Sequence, residues 1–292
     1  MAVLIDPPTW PAHGTVCSHL VSTSSLEELH AFAAAAGIPR RAFDEDHYDV
    51  PARRYRDLVA QGAQEVAGAD LVRALLASGL RVPARRRAPK LRAALMSRWE
   101  TLLPETPGLG GELLDRWAEA HREYHTPAHL LAVLEALDLL LDPADESLRG
   151  VVLLAAWFHD AVYAGSAGAD ERASASLAAR RLRGIVPDGA VRDVERLVLL
   201  TATHDPVQDD RAGHLLCDAD LAVLAGAPED YARYAAAIRA EYRHLPRDVF
   251  TDGRRAVLQR LLTLEPLYRT ARARSEWTGR ARANLEQELG SL

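Results

Sequence analysis

Residues 151–160 constrain this chain more than any other stretch, because VVLLAAWF is apolar on every face of a helix and runs straight into His159 and Asp160. A helix without a polar face belongs in an interior rather than at a surface, so the His-Asp doublet that closes it is carried to a buried place. An imidazole and a carboxylate held out of water together cost several kcal/mol unless they are paired, neutralised or bound to a cation. A divalent ion would remove that cost. The plain alternative is that the two side chains cap the helix or bond each other.

Two other segments carry residues of the same kind: His125 and His129 in REYHTPAHLL, and Asp218 and Asp220 in LLCDADLAVL. Together with His159 and Asp160 they set the order His, His-Asp, Asp, in which separate segments can supply nitrogen and oxygen ligands to one ion and leave positions for water and substrate. Pro127 suits the first turn of a helix and disfavours helical backbone in the residue before it. The expectation is therefore a helix over residues 127–141 with Thr126 as its N-cap, His129 in its first turn and His125 just outside. Asp218 is read as the N-cap of a helix over residues 218–225 that carries Asp220.

Around the doublet and the REYHTPAH segment the sequence resembles the HD phosphohydrolase superfamily. Arg122, Tyr124, His125 and His129 match its R-x-Y-H-x-x-x-H form, which is also similar to the Y-H-x-x-x-H of cyclic-nucleotide phosphodiesterases. The resemblance extends over nearly all of residues 91–292. It implies an all-α helical bundle and a metal held by His129, His159, Asp160 and Asp220, the last chosen over Asp218 because its A-D-L step matches the family's final aspartate. His125 would be the general acid, and Arg122 would steady a phosphate. GADERASASL resembles the family's N-E-x-x-S-A element, with Asp170 where Asn is usual; Ser174 matches, and Glu171 would orient or deprotonate the attacking water. His204, closing RLVLLTATH, resembles a T-x-x-H element and would meet substrate or a second metal. IRAEY resembles an I-R-x-E-Y element, whose Arg239 and Glu241 would form an ion pair or frame the pocket.

The activity so implied is hydrolysis of a phosphate ester or anhydride of a nucleotide or other small phosphorylated metabolite. Its cofactor would be a divalent transition metal (Mn, Fe, Co, Ni or Zn), with a second metal or Mg left open. The other readings are an HD-type di-iron oxygenase, using His204 as an added ligand, and a non-catalytic metal- or nucleotide-binding regulatory module. Neither the substrate nor the oligomeric state is written in the sequence.

Composition narrows the rest. Net charge is −6, which argues against a nucleic-acid partner. The one basic cluster, RVPARRRAPKLR, holds no aromatic residue for base stacking, and residues 81–90 are read as a solvated linker. No stretch is long and apolar enough to span a membrane, and the start lacks a signal-peptide pattern. With Cys17 and Cys217 alone a disulfide framework is excluded, so the chain is expected in a reducing cytoplasm.

Residues 1–80 are written differently, and the expected overall class is α+β: a small α/β domain, then the bundle. AVLID reads as a buried strand, and SLEELHAFAAAAG as a helix with a Ser cap and a Gly stop. Residues 50–63 and 69–80 read as two more helices. Asp6, His13, His19, His47 and Asp49 are expected in loops, where two readings stand open: a second polar pocket for a nucleotide or metal, or hydrogen bonds that hold those loops. Nearly all of residues 2–81 resembles a small bacterial domain family of unassigned function, with V-L-I-D, W, H-G and S-H-L early and D-H-Y-D-V-P late.

Overall fold

A computed structural model of the chain describes residues 2–12, 15–80, 88–166 and 168–292. The chain divides into two compact units, Met1–Lys90 and Leu91–Leu292. The first holds a sheet flanked by helices and the second is helical, an α+β combination. Among the described residues no helix is long and apolar enough to cross a membrane.

In the first unit the strands are β1 (Val3–Ile5), β2 (Trp10–Ala12), β3 (Thr15–Ser22), β4 (Phe43–Asp44), β5 (His47–Pro51) and β6 (Gln64–Glu65), ordered β4-β5-β3-β1-β6 with β2 on the other end of β3. All pairings are antiparallel except β1 with β6. Helices α1 (Leu26–Ala35), α2 (Tyr55–Ala60) and α3 (Gly68–Ala77) cover it. Ser25 caps α1 by accepting from the Glu28 amide, and Gly37 just past its end takes a positive φ of 69°, the local signals that bound a helix. Alternation along the strands splits the core in two. Val3, Ile5 and Leu20 pack with Leu29, Ala33 and Leu58 of α1 and α2, while Leu4 and Val21 pack with Leu71 and Leu75 of α3.

The sequence reading found only β1 among these strands. His19 lies in β3, and His47 and Asp49 lie in β5, not in loops. Their polar side chains break the apolar run that would have announced a strand. His13 lies outside the described residues, as do residues 81–87 of the expected linker. The remaining linker residues already open a helix, which Pro89 in a first turn permits.

The second unit runs α4 (Ala88–Leu102), α5 (Pro107–Trp117), α6 (Pro127–Leu140), α7 (Glu146–Phe158), α8 (Ala169–Leu182), α9 (Asp188–Leu200), α10 (Arg211–Asp220), α11 (Pro228–Glu241), α12 (Arg247–Thr263), α13 (Ala271–Glu276) and α14 (Thr278–Ser291). Helix α7 packs against α6, α8, α9 and α10, and from Leu154 to Phe158 it is buried without a break. It therefore ends inside the bundle, at His159.

One expectation in this unit fails locally. The helix expected over 218–225 is the end of α10 followed by a 3₁₀ turn, Leu221–Ala225. Ala212, Leu215, Leu216 and Ala219 are buried at helical spacing, and Asp210 caps the N-terminus by accepting from the Gly213 amide. Asp218 is thus no N-cap of that helix; its carboxylate accepts from the backbone amides of Arg269 and Thr270, at the start of α13. At the end of the chain α13 and α14 are separate helices that meet at Trp277.

Candidate metal centre

His129 sits in the first turn of α6, after Pro127 at the first helical position; Thr126 takes the extended N-cap backbone but its side chain makes no capping bond. His159 follows the last residue of α7, where its Nδ1 donates to the Ala156 carbonyl at 2.7 Å. In the neutral ring that bond leaves the lone pair on Nε2, directed away from the helix. Asp220 ends α10.

These three elements bring their functional atoms to one point. Asp220 Oδ1 is 3.0 Å from His129 Nε2 and 3.4 Å from His159 Nε2, and the two imidazole nitrogens are 3.3 Å apart. Asp160 Oδ2 is 3.2 Å from His159 Nε2. Ligands about 2.1 Å from a shared ion stand roughly 3.0–3.4 Å from one another, so the spacing already suits a bound cation. His129, His159 and Asp220 form a group able to hold a metal ion, and Asp160 places a second carboxylate beside it, against His159. Burial is nearly complete for His129 and His159, whereas Asp160 and Asp220 keep a little exposure. The group is thus open on the carboxylate side.

Electrostatics follow from that burial. Desolvation pushes His159 down, but the adjacent Asp160 and Asp220 outweigh it and raise its proton affinity well above the usual value. Desolvation raises Asp160 and Asp220, but the charge of His159 and hydrogen bonds from the imidazoles hold both low. For His129 desolvation prevails and favours the neutral ring, the form that ligates a metal. Two ionised carboxylates in a buried site call for positive charge between them.

His125 lies just before α6, as the sequence suggested, and its ring is held from behind by Glu241 of α11. His125 Nδ1 donates to Glu241 Oε2 at 2.7 Å, and Glu241 Oε1 accepts the backbone amides of Glu123, Tyr124 and His125. Nε2 is left 3.8 Å from Asp160 Oδ2, beside the cluster. Tyr163 stacks on the ring at 4.2 Å and donates to Glu241. Desolvation lowers the His125 pKa, but Asp160 and Glu241 overcome it and raise it above the usual value. Desolvation likewise raises Glu241, yet the bonds from His125 and the backbone bring it down to about 2.

Other expected site residues are positioned differently. The Arg122 side chain is fully buried, and its guanidinium donates to the carbonyls of His125, Asp160 and Ala161 and to Glu119. It ties the His125 segment to the doublet and has no face turned to a phosphate. His204 Nε2 donates to the outer oxygen of Asp220 at 2.8 Å, so it orients that carboxylate. It closes the turn after α9 with a positive φ of 53°. Among the described residues its buried Nδ1 has no partner, nor has Oε2 of Glu171. Asp170 accepts the amides of Ala164 and Ser166, and Ser174 bonds Val162, so both shape the loop after the doublet. Arg239 does not pair with Glu241; it donates to the carbonyls of Tyr242 and Leu245.

The chief role that the sequence left undecided is that of Glu241. Its signal was an acidic residue at a buried position of a helix whose other inward residues are Tyr231 and Ile238.

Residues 3–78 match the family described as "Protein of unknown function (DUF4031)", and no HD-type family matches the chain. No curated protein and no solved structure matches it.

Proposed function

We propose that the helical unit is a metal-dependent phosphohydrolase of the HD type, cleaving a phosphate ester or anhydride of a nucleotide or other small phosphorylated metabolite. The observation that carries this reading is the convergence of His129, His159 and Asp220 to mutual distances of 3.0–3.4 Å, with Asp160 3.2 Å from His159 and a carboxylate-backed His125 beside it. Two imidazoles and two carboxylates suit Mn, Fe, Co, Ni or Zn better than Ca. Such an ion supplies Lewis acidity, lowering the pKa of water and drawing charge from a phosphoryl oxygen.

The protein's own groups divide the remaining work. His125, kept protonated by Glu241 and Asp160, donates a proton from Nε2 to the departing oxygen. Glu171, with a buried oxygen lacking a protein partner, is suited to orienting the attacking water. His204 holds Asp220, and Arg122 holds the loops that carry His125 and Asp160, so recognition of the phosphate falls to other groups. The di-iron alternative needs His204 as a ligand and bound iron; the hydrogen-bonding contact of His204 Nε2 with Asp220 makes it a positioning residue in the reading we favour. We place the chain in the cytoplasm, in keeping with a sequence of only two cysteines, both buried.

Phosphate release is the test. Full-length protein loaded in turn with Mn, Fe, Co, Ni and Zn is assayed on nucleotides, inorganic pyrophosphate and simple phosphate esters, beside Asp160→Asn. Release by the wild type and its loss by at least 10³-fold in the folded variant are expected. Absence of release with every metal and substrate, or full activity in Asp160→Asn, overturns the assignment.

A further inference from the structure

We propose that the N-terminal unit carries a metal site of its own, in which His19, His47 and Asp49 bind a divalent transition-metal ion. The strand register assembles it. His19 of β3 stands directly opposite Asp49 of β5, and His47 lies two residues before Asp49 on the same strand, hence on the same sheet face. The functional atoms of the three lie within 4.8 Å of one another. His47 Nε2 is 3.4 Å and His19 Nε2 is 3.9 Å from Asp49 Oδ1, so His47 already stands at co-ligand spacing and His19 closes on the ion by about half an ångström or more.

The strongest indication is what holds the rings from behind. His19 Nδ1 is 3.0 Å from Asp6 Oδ2, and His47 Nδ1 is 2.6 Å from Asp46 Oδ1. Both carboxylates are buried. Asp6 is further fixed by the Trp10 indole and by the His19 amide. With each Nδ1 turned back to its carboxylate, each Nε2 faces Asp49, and in the neutral ring it presents a lone pair there. Carboxylate–histidine pairs of this kind orient ligands at metal sites, and here two of them aim at one point.

Charge points the same way, since three carboxylates and two imidazoles share one end of the sheet. The group opens on a cavity of about 240 Å³ walled on the far side by Leu71 and Leu75 of α3. Two imidazoles and one carboxylate leave positions on the ion for a small ligand from that cavity. The other use of these contacts, hydrogen bonds that hold the segments together, accounts for the bonds to Asp6 and Asp46 and for a His47 Nε2–H donated to Asp49; a bound ion accounts in addition for the convergence of His19 on the same carboxylate.

The site is separable from the helical unit by ion counting. The full-length His129→Ala/Asp220→Ala protein is stripped with chelator, titrated calorimetrically with Co²⁺ and Zn²⁺, and its metal counted by mass spectrometry after gel filtration. We expect about one tightly held equivalent. That ion is lost in the same background on His19→Gln/His47→Gln or on Asp49→Asn, a near-isosteric change at a partly exposed residue, with folding checked by circular dichroism. Asp46→Asn weakens binding by about 10- to 100-fold through the orienting carboxylate. Anomalous density in Zn²⁺-soaked crystals falls between the two rings. Absence of an ion in the His129→Ala/Asp220→Ala protein, or an equivalent indifferent to changes at 19, 47 and 49, overturns the proposal. Neither outcome bears on the helical unit.

Discussion

Glu241 uses both carboxylate oxygens on the segment that presents His125: one gathers three successive backbone amides, the other takes the ring Nδ1. A single side chain thereby sets loop shape, tautomer and proton affinity together. Replacing it by Gln keeps an oxygen for the amides but removes the charge that favours the imidazolium. On the proposed chemistry, Glu241→Gln lowers kcat about 10- to 100-fold, the usual size of an orienting-partner effect. It also shifts the pH profile. His125 has its pKa raised in the folded protein, so the active protonated form is lost as pH rises through that value, and without Glu241 this alkaline limb moves to lower pH. A pH–rate profile on both proteins checks it, and coincident profiles would remove His125 as the acid. None of this partnership was readable locally, because residues 125 and 241 are 116 positions apart. The I-R-x-E-Y element drew attention to the residue but not to its partner.

Among the elements, the junction of α4 and α5 shows packing overriding propensity. Trp99 of α4 is fully buried, donates its indole N–H to the Thr106 carbonyl and meets Trp157 edge-on at 5.0 Å. Gly110 of α5 lies against that ring, and a Cβ there would fall well inside van der Waals contact with it. Alanine is about 1 kcal/mol better than glycine inside a helix, yet the indole is held by its bond and by Trp157 and cannot withdraw. Gly110→Ala is therefore expected to destabilise by about 1–3 kcal/mol, the cost of overpacking, measured by chemical denaturation. A gain in stability would mean that Trp99 moves. Helix positions in this unit were largely legible, since apolar periodicity is a local property, but α10 was missed in its first half. There the glycine and histidine of RAGHLLC blur a stripe that the structure nonetheless buries.

At the scale of the whole molecule, the proposed metal sites would make stability depend on metal. Ions that bind the folded chain but not the unfolded one stabilise it by about 2.7 kcal/mol at a hundredfold excess over Kd. For a unit of this size that raises the melting temperature by about 5–10 °C. Scanning calorimetry of chelator-treated protein, with and without added Zn²⁺ or Mn²⁺, measures it. Equal melting temperatures would exclude tight binding at either cluster.

What the sequence determined by itself is local. The apolar run into His159-Asp160 demanded a buried helix end, Pro127 and Ser25 marked where helices begin, and the change of texture across the basic stretch 81–90 separated a small α/β region from a helical one. These follow from neighbours a few positions apart, whose periodicity and backbone preferences act before any long-range contact forms. Only the tertiary structure decided that His204 turns to Asp220, that Arg122 clamps backbone instead of facing a ligand, and that β3 and β5 lay His19 opposite Asp49. Each depends on segments distant in sequence being pressed together, where excluded water forces every polar group to find a partner that the chain order does not name.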